Sequence, residues 1–391
     1  MITAKLKSEV NREVLLVIIS VFLYFAALGG MGSIISRFSR ELGASTYETG
    51  LIFSIGPIIG VLSRIPSGVY ADKFGSKYFM GGGGLILFLA AIYASYINSY
   101  NELFLVRGLQ GLSIGLFISA SIAAVSLYGY MEYLYRLLSY RAAAISLSSL
   151  IGPPIVAYFV DNYSYSTAFI VVSLFGLSAT LSSLLLPKAV SRENDGASSI
   201  MIISSVLKNK YVLALFVLPL VNGGVFISLY SLQQDHIYSV GHGAIVFGNL
   251  LFIIGVVGLF TRLYAIKVIE KLGPLITITL GLLLESIGLS LLIYWDGNPY
   301  TLYTMGMLYG GGIGFTVPSG QYILLSSVPE GMRNTASSVY ASGFDIGGSV
   351  LVVLLSYIAQ VYGFSTSYLY MTLALLLSMA ILYISLKRLG C

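Results

Sequence analysis

The chain has 391 residues, of which 57% are hydrophobic and 9% are charged, and its formal net charge is +5. Soluble globular domains carry about 25% charged residues, so this composition excludes a soluble enzyme, a nucleic-acid-binding protein and a disordered scaffold. The single cysteine, Cys391, and the two histidines exclude a disulfide framework and argue against a metal centre. We expect no cofactor.

Apolar runs of about 20 residues, each long enough to cross a bilayer as a helix, recur along the whole chain. In chain order they predict twelve membrane helices, at 14–36, 47–70, 78–97, 102–127, 139–160, 166–186, 211–234, 243–265, 275–295, 300–323, 335–359 and 366–386. The runs are continuous and do not alternate, which argues against an outer-membrane barrel. The first run is too long for a signal peptide, so we expect it to stay in the mature protein.

The distribution of basic residues predicts the orientation. A cytoplasmic N-terminus places 16 of the 21 Lys and Arg residues in inner segments, and leaves only Arg37 and Arg40 in outer ones. Because positive residues concentrate on the cytoplasmic side, we expect both termini to be cytoplasmic and the protein to be a multi-pass protein of the cell membrane. Both histidines then fall in the outer loop 235–242.

An internal repeat divides the chain into halves. Residues 60–75 and 258–273 share a register at an offset of 198 residues, with an arginine, an acidic residue, a lysine and a glycine in common. Two parallel six-helix halves are a signature of transporter folds. We therefore expect an all-α polytopic membrane protein with twelve transmembrane helices in two pseudo-symmetric six-helix halves. Its N-terminal half covers 1–186, a cytoplasmic linker 187–210 and the C-terminal half 211–391.

Two motifs resemble those of the major facilitator superfamily, and the resemblance covers the whole chain. The sequence GVYADKFG at 68–75 resembles the loop signature after the second helix, and RGLQG at 107–111 resembles the fourth-helix signature. Two positions depart from the loop signature: Ser76 stands where the family usually has a basic residue, and Ile266 replaces a glycine in the second copy of the signature. The resemblance implies that this loop and its repeat close an inner gate, with Asp72 near Arg333 and Glu270 near Arg141. The alternative is a solvated turn. The residues that the resemblance assigns to this gate are Gly68, Asp72, Lys73, Gly75, Glu270, Lys271, Gly273, Arg141 and Arg333.

Three ionisable residues lie well within predicted helices, where they are costly and therefore candidates for function. Arg107 shares a face with Gln110, and the resemblance places it on the central cavity, where it binds an anionic group or a coupling carboxylate. Its alternative is snorkelling to outer headgroups. Glu285 lies at the middle of the ninth helix, either as a proton site or as a protonated group bonded to a neighbouring helix.

Asp345 lies near the middle of the eleventh helix, on a face of small and polar residues. The resemblance places this helix beside the cavity and the ninth helix at the periphery, so we rank Asp345 above Glu285 for proton coupling. A structural hydrogen bond is its alternative. Polar and aromatic positions expected to line the substrate cavity are Tyr24, Gln110, Asn222, Tyr230, Gln233, Tyr303 and Gln321. Trp295, at the end of the ninth helix, is expected to be an outer-interface anchor.

The chain carries no nucleotide-binding P-loop motif, so ATP is not expected to drive transport directly. The expected cavity and its carboxylates instead predict secondary transport by alternating access. Gly152-Pro153 partly resembles the signature of superfamily antiporters, which favours proton-coupled export of small organic compounds. Proton-coupled uptake of an organic acid or sugar is the alternative, and a membrane-bound receptor or enzyme is a distant one. The expected partners are a small-molecule substrate, protons and the bilayer, with no nucleic acid, and the expected state is a monomer.

Overall fold

A computed structural model describes residues 11–129, 134–188, 208–329 and 333–389. Within these ranges the chain forms the twelve helices that the sequence predicts, and the predicted all-α fold is confirmed. The helices are α1 (Arg12–Glu41), α2 (Thr46–Phe74), α3 (Ser76–Ala94), α4 (Glu102–Tyr128), α5 (Leu134–Asn162), α6 (Tyr165–Leu184), α7 (Lys210–Ser239), α8 (Ala244–Leu272), α9 (Pro274–Ser290), α10 (Pro299–Ser326), α11 (Arg333–Tyr362) and α12 (Phe364–Arg388).

Most of these helices are suited to a membrane. Ten are long and apolar enough to cross one, and α9 is a shorter apolar helix of 17 residues. The remaining helix, α10, has 28 residues and is rich in glycine and tyrosine. Large apolar side chains are exposed along the helices, for example Leu62, Leu174 and Leu377. The protein is therefore a multi-pass membrane protein whose outer faces suit lipid.

Several helix ends differ from the prediction. The helix α7 continues to Ser239, so the prediction that His236 lies in a loop is wrong. Its imidazole ring stacks on the Phe364 ring, with centroids 4.4 Å apart, and this packing supports an extra helical turn. The helix α9 ends at Ser290, and Trp295 lies beyond it, in the turn where its indole N–H donates to the Asn298 carbonyl at 2.8 Å.

The internal repeat reappears in how the helices begin. Asn11 and Asn209, 198 residues apart, both cap a helix: their Oδ1 atoms accept from Val14 N–H at 2.8 Å and Tyr211 N–H at 2.9 Å. Gly75 and Gly273, the last glycines of the repeated motif, precede α3 and α9 with φ of 107° and 82°. Residues other than glycine rarely adopt this conformation, so the motif needs its glycine to start the next helix.

The chain divides into two compact units. The described residues of unit 1 fall within Met1–Ala44, Ile55–Asn194 and Gly243–Gly248, and those of unit 2 fall within Ser45–Ser54, Asp195–His242 and Asn249–Cys391. In unit 1, α1 packs on α5 and α6, and α3 packs on α4 and α6; in unit 2 the equivalent helices pack in the same pairs, α7 on α11 and α12, and α9 on α10 and α12. Residues 189–207 of the predicted linker lie outside the described ranges.

Glycines let paired helices approach to backbone contact. A Cβ at Gly347 in α11 would overlap the carbonyl oxygen of Leu220 in α7, and one at Gly223 would overlap that of Phe344. Gly152 in α5 contacts the backbone of Ala26 in α1 in the same way. Such small residues are typical of packed membrane helices, where van der Waals contact replaces the hydrophobic effect between them.

Candidate functional site

Arg107 is a buried charged residue of unit 1. It lies in α4 with only 8% of its surface exposed, and its Nη1 donates to Oε1 of the buried Gln110, one turn later, at 2.9 Å. Gly56 in α2 faces the guanidinium, where a Cβ would come to 3.4 Å from Nη2. The guanidinium is therefore enclosed between α4 and α2, and the Gln110 amide nitrogen has no hydrogen-bond partner among the described residues. The predicted place of Arg107 at a central cavity stays a prediction.

Tyr24 joins three helices of unit 1. Its buried hydroxyl shares a 2.8 Å hydrogen bond with Ser113 in α4, and the Ser113 hydroxyl donates to the Gly83 carbonyl in α3 at 2.7 Å. Its ring stacks on that of Phe117, with centroids 3.7 Å apart. These contacts give Tyr24 a structural role in unit 1, and its place at the substrate cavity stays a prediction.

The helix α7 carries amide side chains with buried atoms, among them Gln233 and the partly exposed Asn222. Gln233 is fully buried, and neither its Oε1 nor its Nε2 has a hydrogen-bond partner among the described residues; the Asn222 Oδ1 is in the same situation. The two residues are eleven positions apart, about three turns, so they share one helix face. Buried amides without partners are costly, and water or a ligand would satisfy them. Tyr230 packs against Phe226 on the same helix, and Tyr303 in α10 is partly exposed.

Glu285 is fully buried between α9 and α10. Its Oε1 accepts from the Thr316 hydroxyl at 2.8 Å, while its Oε2 has no hydrogen-bond partner in the described part of the chain. Gly281 and Gly312 bring the two backbones together around it, and a Cβ at Gly312 would overlap the Glu285 side chain. This geometry fits the interpretation of a structural hydrogen bond between neighbouring helices.

Asp345 is partly exposed on α11. Its backbone carbonyl accepts from the Ser349 hydroxyl at 2.8 Å, and the neighbouring residues Phe344 and Gly347 form the close crossing with α7. A carboxylate thus lies beside a helix crossing and is less enclosed than Glu285.

The predicted gating residues are only partly described. Glu270 and Lys271 are exposed near the end of α8, and Arg141 is buried in α5, where its Nε and Nη2 donate to the Ser121 hydroxyl at 3.1 and 2.8 Å. Gly68 lies in α2. The side chains of Asp72, Lys73 and Arg333 lie outside the described part, so the pairs of the inner gate stay predictions.

Four polar side chains near helix ends, to which the sequence assigned no role, make contacts in the structure. The Thr46 hydroxyl donates to Asp235 Oδ2 at 2.6 Å, Gln360 Oε1 accepts from the Tyr47 N–H at 2.9 Å, and Asp161 accepts from the backbone at the start of α8. The repeat offset relates Tyr47 to Ile245 and Asp161 to Gln360, but it does not by itself predict these contacts. Among the described residues no three His, Cys, Asp or Glu side chains come together as a metal site.

The repeated helix packing, with polar groups buried inside apolar helices, is the architecture of a membrane transporter. The Major Facilitator Superfamily profile matches residues 17–284 and 246–389, and the chain belongs to this superfamily of transporters. The protein is thus a transporter and not an enzyme.

Three known proteins illustrate the similarity. An uncharacterized MFS-type transporter of Methanocaldococcus jannaschii is 22% identical over 97% of this chain and 100% of its own length. The multidrug resistance protein MdtG of Enterobacter lignolyticus is 21% identical over 97% of this chain and 93% of its own. The crystal structure of a mutant nucleoside transporter NupG superposes with a TM-score of 0.80 at 15% identity, covering 96% of this chain and 100% of that one.

Proposed function

We propose that the protein is a secondary transporter that works by alternating access and exports small organic compounds in exchange for protons. The observation that carries this proposal is a set of ionisable side chains within apolar helices, Arg107, Glu285 and Asp345, in a chain of this superfamily. The similarity to a protein named for multidrug resistance supports export and a broad organic substrate.

In this proposal each polar group has a task. Asp345 takes up and releases the proton, Arg107 provides the positive charge of the cavity, and the unpartnered amides of Asn222 and Gln233 bind polar groups of the substrate. Gly68–Gly75 and its repeat form the inner gate. Both termini are cytoplasmic, and the halves 1–186 and 211–391 move as a monomer about the linker 187–210.

The test is proton movement that depends on the substrate. Ethidium, benzoate and glucose represent hydrophobic cations, organic acids and sugars, and a thermal-shift screen selects the compounds that bind. Proteoliposomes with a pH-sensitive dye inside then receive a binding compound. We expect substrate and proton to move in opposite directions; movement in the same direction would contradict export by antiport, and transport without any proton movement would contradict coupling.

Uptake of an organic acid is the second candidate, and the buried guanidinium of Arg107 favours it. A hydrogen bond to a charged group contributes about 1.5–3 kcal/mol, so Arg107→Gln is expected to weaken benzoate binding by about tenfold or more if benzoate is the substrate type. Arg107→Lys serves as the control that keeps the charge. Ethidium binding that survives Arg107→Gln, with no benzoate binding to the unmodified protein, would contradict this second candidate.

A further inference from the structure

Asp161 caps a helix that lies far from it in sequence. It is the second-last residue of α5, and its Oδ1 and Oδ2 accept from the N–H groups of Ala244 and Ile245, at the start of α8, each at 2.7 Å. Both partners belong to unit 1, although the rest of α8 belongs to unit 2. A Cβ at Gly243 would come to 2.6 Å from Oδ2, so glycine there leaves room for the carboxylate.

The repeat provides a counterpart in unit 2. Gln360, near the end of α11, accepts from the Tyr47 N–H at the start of α2. Tyr47 and Ile245 are 198 residues apart, and Asp161 and Gln360 are 199 apart, which are the offsets of the sequence repeat. One turn away, a Cβ at Gly50 would overlap Ser356, and one at Gly248 would come to 3.1 Å from the Ala157 Cβ. We call these two contacts, Asp161 with α8 and Gln360 with α2, the outer clasps.

The two outer clasps differ in charge for a physical reason. The helix α2 caps itself, because Glu48 Oε2 accepts from the Ser45 N–H at 2.7 Å, and Asp235 is bonded to Thr46. A neutral Gln360 avoids a further negative charge there. The first turn of α8 contains no acidic residue, so Asp161 provides the negative charge that the positive end of a helix favours. Charged hydrogen bonds are roughly twice as strong as neutral ones.

An arginine of α1 also contacts the Asp161 carboxylate. Arg37 Nη1 lies 3.4 Å from Asp161 Oδ1, and Arg37 Nε lies 3.2 Å from Glu41. The side chains of Arg37 and Asp161 are each 19% exposed. Asp161 thus bridges α1, α5 and the start of α8 within unit 1.

We propose that Asp161 is a positioning residue of the outer gate, and that its release of residues 243–248 is the dominant step in opening the outer side. The proposal rests on the alternating access proposed above. Gln360 forms the weaker clasp, because α2 keeps its own N-terminal cap when the hydrogen bond between Gln360 and Tyr47 breaks. Export requires the outer side to open, so the strength of the Asp161 contact sets how often it does.

Distance measurements between spin labels test this directly. Replacing Cys391 by Ser removes the only cysteine, and cysteines at the exposed positions Tyr96 and Tyr294, at loops expected to be outside, carry the labels. Asp161→Asn is expected to raise the ratio of long-distance to short-distance populations by about fivefold, the scale of one charge at a helix terminus. Gly243→Ala, which displaces the carboxylate but keeps its charge, is expected to act in the same direction, and Asp161→Glu to act less. Gln360→Ala is the matched control, with a smaller change.

The outcomes separate this inference from the proposed function. Unchanged distances in Asp161→Asn and Gly243→Ala, or equal shifts in these variants and in Gln360→Ala, would overturn the dominant role of Asp161. Thermal unfolding of each purified variant shows that it is folded, and Gly243→Ala keeps the test open if Asp161→Asn does not fold. The distances need no substrate and no protons. A shift without proton-coupled transport therefore contradicts only the proposed function, and transport without a shift contradicts only this inference.

Discussion

Asp345→Asn is expected to abolish transport driven by a proton gradient and to leave substrate exchange between the two sides intact. Asparagine has nearly the shape of aspartate but does not take up a proton in the physiological range, so the variant keeps the helix packing and loses the titration. Asp345 suits the coupling role better than Glu285 because it is partly exposed, whereas Glu285 is fully buried and bonded to Thr316. A proton carrier must reach water during its cycle.

The measurement compares two assays on the same proteoliposomes. Gradient-driven flux of a compound selected by thermal shift is expected to fall to background, while exchange of labelled for unlabelled compound without a gradient stays near that of the unmodified protein. Glu285→Gln is the matched control, because a glutamine still accepts from Thr316; we expect an effect on thermal stability and a smaller one on flux. Full gradient-driven transport by Asp345→Asn would refute the assignment. Loss of coupling in Glu285→Gln alone would move the role to α9.

Gly347→Ala, which adds a single methyl group, is expected to destabilise unit 2 strongly. The added Cβ would overlap the backbone carbonyl of Leu220, and no side-chain rotation relieves a clash with backbone. Extra methylene groups in a packed core typically cost about 1–3 kcal/mol, and a backbone clash that separates two helices belongs at or above the upper end of this range. We expect a lower yield of folded protein and a clearly lower unfolding temperature in detergent.

Gly82→Ala provides the control for this prediction. Gly82 lies within α3, and a Cβ there meets nothing within 4 Å. Alanine is favoured over glycine inside a helix by up to about 1 kcal/mol, so this variant is expected to be as stable as the unmodified protein or slightly more stable. Equal unfolding temperatures for the two variants would show that α7 and α11 separate without cost, contrary to the close packing described above.

The repeated motif at 68–75 and the contacts of Asp161 and Gln360 differ in how far the sequence predicts them. The motif at 68–75 and its repeat were recognisable because they combine charge, glycine and a fixed offset, and the positive φ of Gly75 and Gly273 explains their final glycines. Asp161 and Gln360 have no such pattern around them. Their role depends on which backbone N–H groups the fold brings to them, and the repeat offset becomes informative only when those contacts are known.

The membrane class, the number of helices and the two-fold repeat are predictable from the sequence, because long apolar runs and recurring motifs are local properties of the chain. The packed structure was needed to show that α7 extends past His236, that Tyr24 joins three helices and that Glu285 is bonded to Thr316. It also shows that the Arg107 guanidinium donates to Gln110 and lies close to Gly56. The physical reason is that apolar runs specify where a helix lies along the chain, whereas the partner of a buried polar group depends on which helices pack together and how closely their glycines let them approach.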